Sequence, residues 1–201
     1  METKVVNFND SKLIEAISSK EVVCFPTETV YGLGVIYSSE EAFNKLVNVK
    51  KRNPDKPFTL MLSSPCDIDQ YANINDKTKK IISKYMPGEI TILVRPKEGL
   101  YPWVTLNSKY IGIRVSGKEE VCQLIAKVKE PLLVSSANIS TFDVVKDFKE
   151  AYEVFNGKIP YIVEGEVNSN LASTIVICDE ELTLIREGKI KFKEIKKVWE
   201  E

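Results

Sequence analysis

Three polar clusters stand where apolar runs begin or end, and their residue types suit the handling of a small charged ligand. Pro26-Thr27-Glu28-Thr29 follows Val22-Val23-Cys24-Phe25. Ser135-Ser136-Ala137-Asn138 follows Leu132-Leu133-Val134, and Asn170-Leu171-Ala172-Ser173-Thr174 leads into Ile175-Val176-Ile177-Cys178. Open α/β sheets build ligand crevices at such strand ends. A cationic group accompanies them: Lys50, Lys51, Arg52 and Lys56 around one helix end, Arg114 within Ile111-Gly112-Ile113-Arg114-Val115, and Arg186 in Leu184-Ile185-Arg186-Glu187-Gly188. Hydroxyls, amides and cations together suit a nucleotide phosphate and a small polar co-substrate. They do not name a reaction, and each has a simpler use. Thr and Ser at strand ends form turns and caps, and cations at a helix C-terminus complement its dipole. Arg114 is harder to place, because an unpaired guanidinium is costly to bury, although edge strands carry such residues.

Composition narrows the chemistry further. The chain has no histidine among its 201 residues, which excludes Ser-His and Cys-His nucleophilic machinery and disfavours the common zinc ligand sets. Chemistry here must rest on positioning and electrostatics. Formal net charge is -1, so no global field draws the chain to nucleic acid or an anionic membrane. Cys24, Cys66, Cys122 and Cys178 are scattered without a CxxC and read as thiols in a reducing cytoplasm. Apolar residues make up 43% of the chain and charged ones 28%, ordinary values for a soluble protein. No run approaches the length of a membrane span, and the N-terminus lacks a signal-peptide pattern.

The elements that must position these clusters alternate in type. A helix is expected from Asp10 as N-cap, with Leu13, Ile14 and Ile17 on one face. Strands are expected at Val22 to Phe25 and Val35 to Tyr37, then a helix with Ser38 and Glu41 in capping-box spacing and Phe43, Leu46, Val47 and Lys50 at helical intervals. Further strands are read in PFTLML, ITILV, IGIRV, PLLVS, YIVEG, STIVIC and LTLIREG. Helices are read in DKTKKIISKYM, in SGKEEVCQLIAKV with Ser116 and Glu119 as capping box, around Asp147 to Phe155, and from about Lys191. Residues 96 to 109 read as loop. With no repeat or linker, residues 1–201 are taken as one α/β domain, its late run of strands favouring a mixed sheet.

Taken in order, these segments resemble the threonylcarbamoyl-AMP synthase family, whose domain is often called YrdC-like. The resemblance runs from about Ile14 to Gly188 and rests on FPTETVYGLG, KKRNPDKPFTLML, MPGEITILV, IGIRV, VSSANIS, ASTIV and LIREG. The fold it implies is a twisted mixed β-sheet flanked by helices, with a concave ligand groove. The activity it implies is nucleotidyl transfer: L-threonine, bicarbonate or CO2, and ATP with Mg²⁺ give threonylcarbamoyl-AMP and pyrophosphate. The product would pass to the tRNA threonylcarbamoyl-transferase complex, for the t6A modification of adenosine 37 in tRNAs reading ANN codons. A cytoplasmic enzyme, without membrane association, is expected.

Residue by residue, the resemblance places Thr27, Tyr31, Arg114 and Ser173 on L-threonine. It places Lys50, Arg52, Lys56, Thr91, Ser136, Asn138 and Arg186 on ATP, with Lys50, Arg52 and Lys56 clamping the leaving pyrophosphate. Arg114 is expected to fork onto the threonine carboxylate. Glu28, which would repel ATP if aimed at its phosphates, is expected to orient a cation, a metal or the loop. Thr141 stands where the family pattern has Gly, Glu89 where it has Pro, and Met61 where some members have His. The competing reading is an RNA-binding module without adenylate synthesis, using a local basic groove; weak RNA binding is compatible with either.

Overall fold

The computed structural model describes residues 2–169 and 171–201. The FPTETVYGLG segment shows how sequence becomes architecture here. Strands β2 (Val23–Pro26) and β3 (Tyr31–Ile36) pair antiparallel, with Pro26 opposite Tyr31, so residues 27–30 form the hairpin loop. Gly34 is needed for close approach. A Cβ there would lie 2.8 Å from the Phe25 ring, which packs across the hairpin. β3 therefore starts earlier than its apolar run Val35 to Tyr37 suggests, because Gly32 and Gly34 carry no hydrophobic signal of their own.

Around this hairpin the chain adds β1 (Lys4–Val6), α1 (Ser11–Ser18), α2 (Glu40–Lys50), β4 (Thr59–Leu62), β5 (Ala72–Asn73), α3 (Asp76–Tyr85) and β6 (Ile90–Pro96). The short helix α4 (Pro102–Thr105) interrupts the stretch read as loop, pinned by the Trp103 indole N–H donating to Tyr37 O at 3.0 Å. Then come β7 (Ile111–Val115), α5 (Glu119–Val128), β8 (Leu132–Ser136), α6 (Phe148–Phe155), β9 (Tyr161–Val163), β10 (Thr174–Cys178), β11 (Leu182–Arg186) and α7 (Phe192–Glu200).

Helix starts follow capping chemistry. Asp10 accepts from Lys12 N, Asn75 from Thr78 N, and Asp147 from Lys149 N and Glu150 N, each satisfying an orphan N–H. Two caps differ from expectation. Ser39, not Ser38, caps α2, and the Glu41 carboxylate goes to Lys20 and Lys45 instead of closing a capping box. α5 starts later than the Ser116 capping box expects: Lys118 stands at its N-cap without a side-chain bond, while the Ser116 hydroxyl accepts from Lys118 N at 3.2 Å and donates to Glu28.

The sheet runs in the order β1-β9-β2-β3-β8-β4-β7-β6-β10-β11, with β5 beside β6. β1/β9, β9/β2, β4/β7 and β6/β10 are parallel, and the other pairs are antiparallel. This is the mixed sheet expected. Its strands are close to fully buried from β2 to β8, and the core gathers Phe25, Leu33, Leu60, Ile113, Leu133 and Ile162, all at most 1% exposed.

Candidate functional site

One face of the central strands is concave, and side-chain alternation decides what it presents. Thr59 and Met61 on β4, Gly112 and Arg114 on β7, Thr91 and Leu93 on β6, and Val134 and Ser136 on β8 are each two residues apart and line one cavity of about 380 Å³. Thr27, Tyr31, Arg52, Tyr110, Ser173 and Arg186 complete its wall. Strand order brings together residues that stand far apart in sequence.

The hairpin loop is a hydrogen-bonded unit. Thr27, Glu28 and Thr29 are 2%, 6% and 0% exposed, unusual for polar residues at a loop tip. Thr27 Oγ1 donates to Val30 O at 2.7 Å and accepts from Thr29 N and Val30 N. Thr29 Oγ1 lies 2.9 Å from Thr27 Oγ1 and accepts from Arg114 Nη2 at 2.8 Å. A directed chain thus runs from Arg114 through Thr29 and Thr27 to Val30 O. The hydroxyl of Thr27 reaches the cavity wall already committed to its own turn.

Arg114 is 6% exposed. Its Nη2 donates to Glu28 Oε1 at 2.6 Å and to Thr29, and its Nε is buried without a partner. Both N–H bonds of Nη2 are occupied, whereas a fork onto a carboxylate pairs Nη2 with a neighbouring nitrogen. With Nε enclosed, the geometry therefore offers an incoming anion Nη1 alone, not the fork expected. At Glu28, burial opposes ionisation. The Arg114 guanidinium, the Gly117 N–H and the Ser116 hydroxyl outweigh it and hold the carboxyl below its ordinary range. Gly117 makes room for this: a Cβ on it would lie 3.3 Å from Glu28 Cγ. Of the cation, metal or loop that Glu28 was expected to orient, the structure shows a cation, Arg114, and adds Ser116 as a partner the sequence did not suggest. Its only signal was position, two residues beyond Arg114.

The expected phosphate residues divide. Arg52 lines the cavity, braced by Nε to Lys56 O at 3.2 Å and Nη2 to Pro57 O at 3.1 Å, with its guanidinium 5.1 Å from the Phe58 ring centre. Burial holds its pKa below the usual value. Lys56 is exposed and outside the cavity lining. Lys50 is only 1% exposed. Its ammonium donates to Ser136 O at 2.5 Å, Asn138 O at 2.9 Å and Asn138 Oδ1 at 2.9 Å. An ammonium has three protons, so Lys50 is saturated by the SSAN turn. Burial, then the neighbouring Arg52 charge, draws its pKa down to about 8.

Asn138 is equally committed, its Oδ1 also accepting from Ser136 Oγ at 2.8 Å and its Nδ2 donating to Phe142 O at 2.8 Å. Ser136 lies on the wall. Opposite, Thr91 Oγ1 and Ser173 Oγ are 2.8 Å apart, and Arg186 donates to Ser173 O from Nε at 3.1 Å and Nη2 at 2.9 Å. Burial, then the neighbouring Arg114 charge, lowers the Arg186 pKa. Tyr31 walls the groove with its ring and donates its hydroxyl to Gly165 O at 2.7 Å. Asn170, the first residue of the third polar cluster, lies outside the described residues.

A mixed sheet whose concave face carries two arginines, hydroxyls and a buried guanidinium defines an α/β protein built to hold a small anionic ligand. Comparison with known proteins makes the class specific. Residues 15–188 match the Sua5/YciO/YrdC family model, described as telomere recombination, and the chain belongs to this family. It is similar to a putative threonylcarbamoyl-AMP synthase of Methanocaldococcus jannaschii, 33% identical over 183 residues, covering 90% of this chain and 86% of that one. It is also similar to the threonylcarbamoyl-AMP synthase of Wigglesworthia glossinidia brevipalpis, 31% identical, covering 94% and 93%. Among solved structures, P. abyssi Sua5 complexed with L-threonine superposes with a TM-score of 0.91 at 27% identity, over 98% of this chain and 61% of that chain. This chain thus spans about three fifths of the length of that relative.

Proposed function

We propose that the protein is an L-threonylcarbamoyladenylate synthase. It would convert L-threonine, bicarbonate or CO2, and ATP into threonylcarbamoyl-AMP and pyrophosphate, in the cytoplasm and in support of tRNA t6A modification. Residues 1–201 are read as one YrdC-like unit, in keeping with the single sheet and shared core. The observation that carries the proposal is Arg114, paired with Glu28 through Nη2 yet without a partner at Nη1 among the described residues, on a cavity wall that also holds Thr91, Ser173, Arg52 and Arg186. A structural relative described with L-threonine bound shares this fold.

In this reading the threonine carboxylate takes the free donors of Arg114, while Ser173 and Thr91 offer hydroxyls to its polar groups. The threonine amine captures CO2 as a carbamate, and a carbamate oxygen displaces pyrophosphate from the α-phosphorus of ATP. Neither step needs a histidine acid or base. Arg52 and Arg186 supply positive charge toward the triphosphate, and Mg²⁺ would enter as the counter-ion of ATP. Lys50 and Asn138 act by holding the SSAN turn that presents Ser136. Lys56, outside the wall, would reach a phosphate only from the rim. The product would go on to a threonylcarbamoyl-transferring partner acting on tRNA. The RNA-binding alternative is not favoured, because the relatives at 33% and 31% identity are named as a putative threonylcarbamoyl-AMP synthase and a threonylcarbamoyl-AMP synthase.

The test is pyrophosphate release from ATP. Release that requires both L-threonine and bicarbonate, and is lost in Arg114→Ala, is expected; release independent of threonine would contradict the reading.

A further inference from the structure

The pairing of Glu28 with Arg114 raises a question of purpose. A guanidinium meant for a substrate carboxylate already has a carboxylate, at 2.6 Å, with both side chains 8% exposed. Glu28 is itself held from three sides, by Arg114, by the Ser116 hydroxyl and by the Gly117 N–H. Glu28 is buried and does not line the cavity, so its carboxylate faces these donors and not a bound phosphate or metal. The consequence falls on Arg114. Glu28 and Thr29 take both protons of Nη2, which fixes the guanidinium plane. Among the described residues, Nε and Nη1 are then left without a hydrogen-bond partner.

We propose that Glu28 is a positioning residue for amino-acid recognition, acting through Arg114 and together with Thr29. The network freezes the guanidinium so that Nη1, which unlike the enclosed Nε is not buried, is the directed donor left for a ligand, and it offsets part of the guanidinium's charge. Directed hydrogen bonds then recognise the substrate carboxylate, while the uncompensated positive charge of the cavity belongs to Arg52 and Arg186, suited to phosphates. A preorganised donor loses less on binding than one that must first be ordered. Amino acid and nucleotide are thereby separated by charge as well as by place. This inference rests on the assignment of L-threonine to the cavity.

Titration calorimetry of L-threonine and, separately, of ATP with Mg²⁺ tests it, using wild type, Glu28→Gln, Arg114→Met and the double variant. Glu28→Gln is expected to weaken L-threonine binding by about tenfold, the scale of one charge-assisted hydrogen bond, and to leave ATP binding within about twofold. In the Arg114→Met background, Glu28→Gln is expected to add nothing further, because its effect passes through Arg114. Thr29→Val provides an arm with little change of shape: it is expected to weaken L-threonine binding, with Thr29→Ser restoring it. Unchanged or tighter L-threonine binding in Glu28→Gln would overturn the proposal. So would additive losses in the double variant, or a loss confined to ATP and Mg²⁺. If Glu28→Gln does not fold, Thr29→Val alone decides by the same criteria. Wild-type protein that binds ATP but no L-threonine would instead overturn the functional reading itself.

Discussion

At Glu28 two opposing effects act on one carboxyl group. Burial raises its pKa; Arg114, Gly117 and Ser116 lower it, and the lowering prevails. A carboxyl whose folded-state pKa lies below its ordinary 4.5 stabilises the fold at pH values above 4.5. That contribution is lost as pH falls through the folded value. Removing one partner of a buried pair costs about 3–5 kcal/mol, so Glu28→Gln should lower urea stability at pH 7 by about that amount. The gap from wild type should narrow as pH falls below 4.5, because only wild type then loses the ion pair. A pH-independent gap would show that the pair's charge is not what stabilises it.

Lys50 calls for a different measurement. Its three protons hold the SSAN turn, so Lys50→Met should cost about 1–3 kcal/mol in unsatisfied acceptors. Amide exchange at residues 136–142 should also speed up without any nucleotide present. A direct phosphate ligand would instead leave that exchange unchanged. The sequence showed the right residue types at both places. It could not show direction: whether a lysine beside a turn faces the ligand or the turn's carbonyls depends on a β8 register that periodicity does not encode.

At the scale of elements, the site depends on how closely β10 and the segment after β11 approach. A Cβ at Gly188 would run into Ala172 O and lie 2.8 Å from Thr174 N, and backbone atoms yield less readily than flexible side chains. Gly188→Ala should displace Ser173 and the Arg186 side chain that braces it. The expected result is an L-threonine KM raised by about tenfold or more, from loss of positioned hydrogen bonds. It should be accompanied by a drop of about 2–4 °C in Tm per kcal/mol lost. Steady-state kinetics and a thermal scan check both; wild-type values would remove Ser173 from the substrate wall. Helix positions were legible because apolar residues recur at helical spacing and Asp10 offers a local cap, while the caps at Asn75 and Asp147 show only in the structure. The start of β3 was not, since Gly32 and Gly34 matter for what they lack. The bond from the Ser116 hydroxyl to a carboxylate 88 residues away in sequence was not legible either, because local spacing shows only the serine's own turn.

For the whole molecule, the order β3-β8-β4-β7-β6-β10 assembles the cavity, and it is the feature least visible in the sequence. Alternation predicts which residues share a face within a strand, yet not which strands are neighbours. Thr27, Arg114, Ser136 and Ser173 could be grouped beforehand as strand-end polar residues and a strand cation, but given separate roles only by resemblance to a family; the fold gives the physical reason for the grouping. With net charge of -1, the cavity's cations form a local field suited to one triphosphate more than to a polyanion backbone. Arg52→Ala should therefore raise the KM for ATP by about tenfold, the scale of a charge-assisted bond, with L-threonine affinity held within about twofold. Equal losses for both substrates would place Arg52 elsewhere in the mechanism.

The most direct measurement is to incubate the protein with ATP, Mg²⁺, L-threonine and ¹³C-bicarbonate and to examine the adenylates by mass spectrometry. The account predicts threonylcarbamoyl-AMP carrying one ¹³C atom, formed together with pyrophosphate and absent in Arg114→Ala. ATP left intact, or cleaved without the label entering an adenylate, would contradict it.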